Sequence, residues 1–148
     1  MIQSILIICI GNICRSPIAE ALFIERYKKE GKPDIAVSSA GLAALVGHPA
    51  SSVGQELMLQ RRLDISGHRA RQITAEIVYG SDLILTMTTD QQKQVEMNYP
   101  GTCGRVHRLG KWGSYDVPDP YQRPRLVFEQ ALALMDQGVD EWYRKLWN

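Results

Sequence analysis

Short, continuously apolar stretches alternate along this chain with longer stretches of helical periodicity. Residues 5–8 are all Ile or Leu, a composition typical of a strand that is buried on both faces of a parallel sheet. Further strands are predicted at residues 35–39, 82–87 and 104–109. The alternation predicts an α/β fold of three layers, in which a central four-stranded parallel twisted sheet is flanked by helices on both faces.

Helical spacing of apolar residues follows the first predicted strand. Ser16 and Pro17 indicate where that helix begins, because Ser can cap a helix and Pro fits its first position. The later helices are predicted over residues 50–62, from a cap at Thr89 or Asp90 to about residue 98, and over residues 125–147. The core positions predicted for the last helix are Leu126, Phe128, Leu132, Leu134, Met135, Trp142 and Leu146.

The length and the charge balance restrict the class of protein. The 148 residues suit a single domain, predicted over residues 1–148. Seventeen Lys and Arg against sixteen Asp and Glu give a net charge of +1, which argues against binding to nucleic acid or to an anionic membrane. The apolar run near the start is far shorter than the roughly 20 residues of a membrane span. The first Lys or Arg is Arg15, so the basic region that begins a signal peptide is missing and we expect a cytoplasmic protein. We also expect a monomer that does not insert into a membrane.

The cysteines and histidines do not form a metal-binding pattern. Three cysteines are an odd number, which argues against a secreted disulfide scaffold. The three histidines lie far apart and show no metal-ligand spacing with each other or with the cysteines. We predict no metal and no cofactor. The six residues are Cys9, Cys14, Cys103, His48, His68 and His107.

The segment between the first strand and the first helix has the composition of an anion-binding loop. Gly11 and Asn12 accept the positive φ that lets backbone N–H groups turn inward. Arg15 can bind two phosphate oxygens, while the helix N-terminus, the N–H groups and Ser16 stabilise a Cys9 thiolate. The predicted phosphate-binding loop consists of Cys9, Ile10, Gly11, Asn12, Ile13, Cys14, Arg15 and Ser16.

Other phosphate loops and redox motifs fit this segment less well. It lacks the Lys and the second Gly of the nucleoside-triphosphate loop and the three spaced glycines of the dinucleotide loop. Four residues separate Cys9 from Cys14, so there is no CxxC motif. The alternative that both cysteines are simply buried apolar residues does not account for the Arg, Gly-Asn and Ser-Pro that accompany them.

The string Ile8-Cys9-Ile10-Gly11-Asn12-Ile13-Cys14-Arg15-Ser16-Pro17 resembles the phosphate-binding signature of the low-molecular-weight protein tyrosine phosphatases. The resemblance covers essentially the full chain and includes a late Asp119-Pro120-Tyr121. It implies a metal-independent enzyme that hydrolyses phosphotyrosine through a phosphocysteine intermediate. Cys9 is then the nucleophile, and Arg15 holds the phosphoryl oxygens.

The general acid implied by the resemblance is Asp119, which would protonate the leaving phenol and then activate water. Asp119 lies between Pro118 and Pro120, so its loop is stiff. From the residues alone an Asp-Pro loop is more often an ordinary turn. Asp116 is a nearby alternative, ranked second because Pro-Tyr does not follow it.

Further roles follow from the resemblance. Asn12, Ser16, Ser39 and His68 are expected to support the phosphate-binding loop, although Arg69 stands where relatives usually have another residue type.

Three residues are expected to form the walls of the pocket. Tyr121 could stack on a substrate ring, with Leu45 and Val46 as the opposite wall, where many relatives carry an aromatic residue instead.

A reversible disulfide with Cys14 as redox partner could protect Cys9 from irreversible oxidation.

The stretch Gly41-Leu42-Ala43-Ala44-Leu45-Val46-Gly47 resembles bacterial members of the family associated with surface-polysaccharide synthesis. The implied substrate is a phosphotyrosine protein, an autophosphorylated bacterial tyrosine kinase. One alternative is an arsenate reductase on the same fold, which needs two further cysteines, whereas only Cys103 lies outside the loop. A second alternative is a non-catalytic phosphotyrosine-binding module, against which the intact set of Cys9, Arg15 and Asp119 argues.

Overall fold

The computed structural model describes residues 1–147, so Asn148 of the predicted domain lies outside the described residues. The strands are β1 (Ser4–Cys9), β2 (Ala36–Gly41), β3 (Leu83–Thr86) and β4 (Val106–Arg108). The helices are α1 (Arg15–Lys29), α2 (Ser52–Leu59), α3 (Ala75–Tyr79), α4 (Thr89–Asn98) and α5 (Arg125–Trp147), with a 3₁₀ turn at Lys111–Gly113.

The four strands form one parallel sheet in the order β2-β1-β3-β4. β1 lies inside the sheet, where Ile7 pairs with Ser39 of β2 and with Leu85 of β3. The chain passes first to one side of β1 and then to the other. Ligands of such sheets bind at the carboxyl ends of the strands where this reversal occurs, and here that place follows Cys9.

Alternate residues of β1 enter two separate apolar clusters. Ile5 and Ile7 belong to the larger cluster, together with residues of α1, α2 and α5. Leu6 and Ile8 belong to the smaller cluster, together with residues of α3 and α4. Helices therefore cover both faces of the sheet, and the predicted three-layer α/β fold is confirmed. Burial on both faces explains why residues 5–8 are continuously apolar.

The start of α1 differs from the prediction. The helix begins at Arg15, and its N-cap Cys14 makes no side-chain capping hydrogen bond. The prediction that Ser16 caps the helix was wrong, because Ser16 lies within the first turn and its hydroxyl contacts the Cys9 sulfur. The N-terminal N–H groups of α1 are consequently left without a side-chain cap, as an anion-binding helix end requires.

The other helices differ mainly at their ends. α2 is shorter than predicted, and Arg62 beyond it has a left-handed φ of 62°. The cap of α4 is Thr88 rather than Thr89 or Asp90, since its side chain accepts from the Gln91 N–H. α5 has the predicted limits, but Leu126 is exposed rather than in the core. The five-residue α3 was not predicted.

Candidate active site

The loop after β1 wraps around the sulfur of Cys9, which is 1% exposed. Asn12 has a φ of 59°, whereas Gly11, the other residue predicted to adopt a positive φ, does not. The left-handed turn directs the Asn12 backbone N–H toward the Cys9 Sγ, at an N–S distance of 3.3 Å. An inward N–H of this kind stabilises negative charge on sulfur.

The Ser16 hydroxyl is the second polar group at the Cys9 sulfur. Ser16 Oγ lies 2.9 Å from Cys9 Sγ. The same oxygen accepts a hydrogen bond from Asn12 Nδ2 at 2.8 Å. One lone pair of the oxygen accepts that bond, and the hydroxyl hydrogen remains available for the sulfur. Ser16 can therefore donate to a Cys9 thiolate, which has no hydrogen of its own to donate.

Asn12 connects the loop to the rest of the molecule. Its Nδ2 also donates to Ser39 Oγ at 3.0 Å, and its Oδ1 accepts from the Arg71 backbone N–H at 2.9 Å. His68 Nε2 lies 2.7 Å from the Asn12 carbonyl, and a carbonyl only accepts, so Nε2 carries the hydrogen. The structure thus brings Asn12, Ser16, Ser39 and His68 together. The sequence did not indicate Arg71, whose backbone N–H donates to Asn12 and whose Nε donates to the Ser39 carbonyl at 2.8 Å.

Arg15 lies beneath the loop and is 2% exposed. Its Nη1 donates to the carbonyl of Val117 at 2.8 Å, and its Nη2 is 3.9 Å from Asp119 Oδ2. Its Nε is buried and has no hydrogen-bond partner within residues 1–147. A buried N–H without a partner is costly, and an oxyanion in the adjoining cavity would supply one.

A cavity of about 150 Å³ opens above the loop. Leu45 and Tyr121 both line it. Val46 does not line it and is 66% exposed, because the Leu45 N–H bonds to the Gly11 carbonyl and the next side chain faces away. The lining residues are Cys9, Ile10, Gly11, Ile13, Cys14, Arg15, Ala43, Leu45, Asp119 and Tyr121.

The two candidate acids have different surroundings. Asp119 lines the cavity, and its Oδ1 accepts the Tyr121 N–H at 3.0 Å. Asp116 is not among the lining residues. Its Oδ1 instead accepts from Thr89 and Arg108. Only Asp119 of these two can therefore reach a group bound over Cys9.

Cys14 also lines the cavity, and both it and Cys9 are free thiols in this structure. Burial, with a smaller contribution from the neighbouring Cys9, raises the pKa of Cys14 to about 11. A thiol with that pKa stays protonated at neutral pH. The Cys9–Cys14 disulfide remains a prediction.

The other cysteine and the remaining histidines lie outside the cavity. Cys103 is exposed and its thiol donates to Glu96 at 3.2 Å. His48 is exposed, and His107 is half-buried beside Lys111. Within the part of the chain that the structure describes, no three His, Cys, Asp or Glu side chains are grouped to hold a metal ion. No helix among residues 1–147 is long and apolar enough to cross a membrane.

The sequence matches the family model described as low molecular weight phosphotyrosine protein phosphatase over residues 4–148. Such proteins are cysteine-based phosphatases, a class that agrees with a buried cysteine in an anion-binding loop. The chain belongs to this family, and the resemblance inferred from the loop is confirmed.

Individual bacterial relatives cover the whole length. A probable low molecular weight protein-tyrosine-phosphatase EpsP from Ralstonia solanacearum is 43% identical over 146 residues, 99% of this chain and 97% of the relative. The phosphatase Wzb of Escherichia coli K12 is 37% identical over 147 residues, 99% of this chain and 97% of the relative. The crystal structure of Wzb from Escherichia coli K30 in complex with sulphate is similar with a TM-score of 0.91, at 33% identity and 99% coverage of both chains.

Proposed function

We propose that this enzyme hydrolyses phosphotyrosine through a phosphocysteine intermediate on Cys9. The observation that carries the proposal is one cavity that holds a buried sulfur, a guanidinium with a free N–H and a carboxyl group. These are Cys9, Arg15 and Asp119. Nucleophile, anion binder and proton donor are the three groups that phosphoryl transfer to a thiolate needs.

In the first step the Cys9 thiolate attacks phosphorus in line with the ester oxygen. An S–P bond forms, and the P–O bond to the phenol breaks. Asp119 supplies the proton that the departing oxygen requires. In this mechanism the Arg15 Nε, which has no partner among the described residues, and backbone N–H groups of the loop hold the remaining phosphoryl oxygens and stabilise their charge.

In the second step water attacks the phosphocysteine. The Asp119 carboxylate takes a proton from that water, the S–P bond breaks and phosphate leaves. The sulfur departs as a thiolate. The hydroxyl of Ser16, whose oxygen lies 2.9 Å from the sulfur, donates a hydrogen bond to this negative charge. Asp119 thereby ends the cycle protonated, ready for the next substrate.

The walls of the cavity favour an aromatic ester. Ile13, Leu45 and Tyr121 present apolar or aromatic surface above the anion-binding loop. A phenyl ring attached to the phosphate can pack between them, and Tyr121 can stack on it. The much shorter side chain of phosphoserine would leave those walls without contact, so the cavity favours phosphotyrosine.

The proposed cellular substrate is a phosphotyrosine protein, an autophosphorylated tyrosine kinase that regulates surface-polysaccharide production in a bacterium. Two observations support this proposal. The stretch over residues 41–47 resembles that bacterial subgroup, and the similar Ralstonia and Escherichia proteins are bacterial protein-tyrosine-phosphatases. We further propose that the enzyme acts as a cytoplasmic monomer.

Turnover of 4-nitrophenyl phosphate and of a phosphotyrosine peptide, each with and without a chelator, tests the activity. We expect hydrolysis that the chelator leaves unchanged. Cys9→Ser should abolish turnover because an alcohol is a much weaker nucleophile than a thiolate, while phosphate binding persists. The matched control is Cys103→Ser, which changes an exposed cysteine outside the cavity and should keep full activity. Full activity of Cys9→Ser would contradict the proposal.

A further inference from the structure

Asp116 lies at the start of the loop that carries Asp119, and one of its oxygens has three donors. Asp116 Oδ1 accepts from the Thr89 N–H at 3.2 Å and from Thr89 Oγ1 at 3.3 Å. It also accepts from Arg108 Nη1 at 3.1 Å. Thr89 is the first residue of α4 and Arg108 the last of β4. A single carboxylate therefore fixes the loop to the carboxyl edge of the sheet.

The next residue, Val117, connects this attachment to Arg15. The Val117 N–H donates to the Met87 carbonyl at 2.9 Å. The Val117 carbonyl accepts from Arg15 Nη1 at 2.8 Å. Val117 is fully buried, and the ring of Pro118 restricts the backbone that leads on to Asp119. Val117 thus links Asp116 on one side to the Arg15 guanidinium and, through Pro118, to the Asp119 carboxyl group on the other.

Asp119 itself has few attachments of its own. Its side chain is 46% exposed, accepts one backbone N–H and lies 3.9 Å from the Arg15 guanidinium. An acid that must reach the leaving oxygen within hydrogen-bond distance needs a fixed backbone. The attachment at Asp116 supplies that fixed point three residues earlier.

We propose that Asp116, held by Thr89 and Arg108, is a positioning residue that sets the reach of Asp119 over the cavity. Asp116 does not touch the substrate, since it does not line the cavity. This inference rests on the proposed function, in which Asp119 protonates the leaving group. The Asp116–Arg108 pair is partly exposed, at 44% and 24%, so it adds little to the stability of the fold. Its loss should affect the chemistry more than the folding.

The test is the leaving-group dependence of kcat/KM, which reports the step that expels the phenol. Phenyl phosphate has a basic leaving oxygen that needs protonation, whereas 4-nitrophenyl phosphate has a good leaving group that needs little. In Asp116→Ala we expect kcat/KM to fall about 10- to 100-fold for phenyl phosphate, as misplacement of an acid does. For 4-nitrophenyl phosphate the fall should be only a few-fold.

Two further variants keep the test decisive if Asp116→Ala folds poorly. Arg108→Gln removes one donor to Asp116. As in Asp116→Ala, it should lower kcat/KM more for phenyl phosphate than for 4-nitrophenyl phosphate. The double variant Arg108→Gln, Asp116→Asn should lower kcat/KM little further than either single change, because both changes break the same Arg108–Asp116 contact. The matched control is Asp136→Asn, an exposed Asp paired with Arg61 on the surface of α5. It should leave kcat/KM unchanged for both esters.

An equal fall for both esters, or no fall for either, would overturn the positioning role. An equal fall is what a loss of folded enzyme alone produces, and the unfolding midpoint measured in parallel identifies it. If wild-type protein hydrolysed neither ester, the proposed function would fail first. If wild-type turnover depends on Cys9 but the leaving-group dependence is unaltered in the Asp116 and Arg108 variants, only the inference about Asp116 fails.

Discussion

The two cysteines of the phosphate-binding loop lie five positions apart and have different surroundings. The Cys9 sulfur has the Asn12 N–H and the Ser16 hydroxyl beside it. Cys14 is the N-cap residue of α1, where burial raises its pKa to about 11. Chemistry that needs a thiolate at neutral pH is therefore assigned to Cys9.

This difference predicts selective alkylation. Iodoacetamide reacts with thiolates, so at pH 7–8 we expect Cys9 to be modified and Cys14 to stay unmodified, since its pKa is about 11. Modification of Cys14 should increase as the pH approaches that value and the thiol ionises. Peptide mass spectrometry after timed quenching measures both sites. Phosphate should slow the reaction at Cys9, whereas the exposed Cys103 provides the control that phosphate leaves unaffected.

Equal rates of alkylation at Cys9 and Cys14 at pH 7 would contradict this assignment.

The raised pKa of Cys14 also bears on its proposed redox role. Cys14 must attack an oxidised Cys9 as a thiolate, so disulfide formation after peroxide treatment should be slow at neutral pH and faster at alkaline pH. Absence of a Cys9–Cys14 cross-linked peptide under both conditions would count against the role.

At the scale of the elements, the sequence predicted best what depends on local pattern. β1 was predictable because four consecutive Ile and Leu fit a strand between two helical layers. α5 was predictable because a 23-residue helix contains several turns of apolar periodicity. α3 has five residues and only one turn, too few for a period to show.

The contacts that complete the site are of longer range, which limits what the sequence can indicate. Val117 accepts from Arg15 across 102 positions, and the Arg71 N–H reaches Asn12 across 59. A backbone group carries no signature of its residue type, so neither contact could be predicted from spacing. Ser39 and His68 were predicted only through the family resemblance, and Val46 was placed in the wall although only its neighbour Leu45 lines the cavity.

One connection between strands should make stability depend on pH. Asp82 precedes β3, and its Oδ2 accepts the N–H groups of Gln3 at 2.8 Å and Ser4 at 3.1 Å beside β1. The hydrogen bond from Gln3, with further ones from Ser4, lowers the pKa of Asp82. The folded state thus favours the carboxylate, and the stabilisation is present above the unfolded-state pKa of roughly 3.9.

Stability from Asp82 should be lost as the pH falls through its lowered folded-state pKa. Urea unfolding of wild type and Asp82→Asn measures this as the difference in free energy of unfolding. We expect wild type to be more stable at pH 7 and the difference to shrink steadily below about pH 4. Asp34→Asn, at an exposed position in the loop before β2, is the control. A difference that is constant from pH 7 to pH 3 would contradict the assignment.

At the scale of the whole molecule, the site lies at the carboxyl end of β1, where the chain changes from crossing to one side of β1 to crossing to the other. The larger apolar cluster packs α1 against β1, and this packing fixes the two ends of the loop between them. From the other side, the loop of residues 116–119 is attached to α4 and β4 through Asp116. We propose that residues 1–148 act as a single domain, because the site combines the loop after β1 with Val117, 102 positions beyond Arg15, and with Asp119.

In the proposed mechanism the phosphoryl group passes through the Cys9 sulfur. Rapid mixing with 4-nitrophenyl phosphate, an acid quench and peptide mass spectrometry test this directly. We predict one phosphoryl group on Cys9 within the first turnover, more of it in Asp119→Ala, in which water attack is slowed, and none in Cys9→Ser. Full turnover with no phosphoryl group on Cys9, or a phosphoryl group on another residue, would contradict this mechanism.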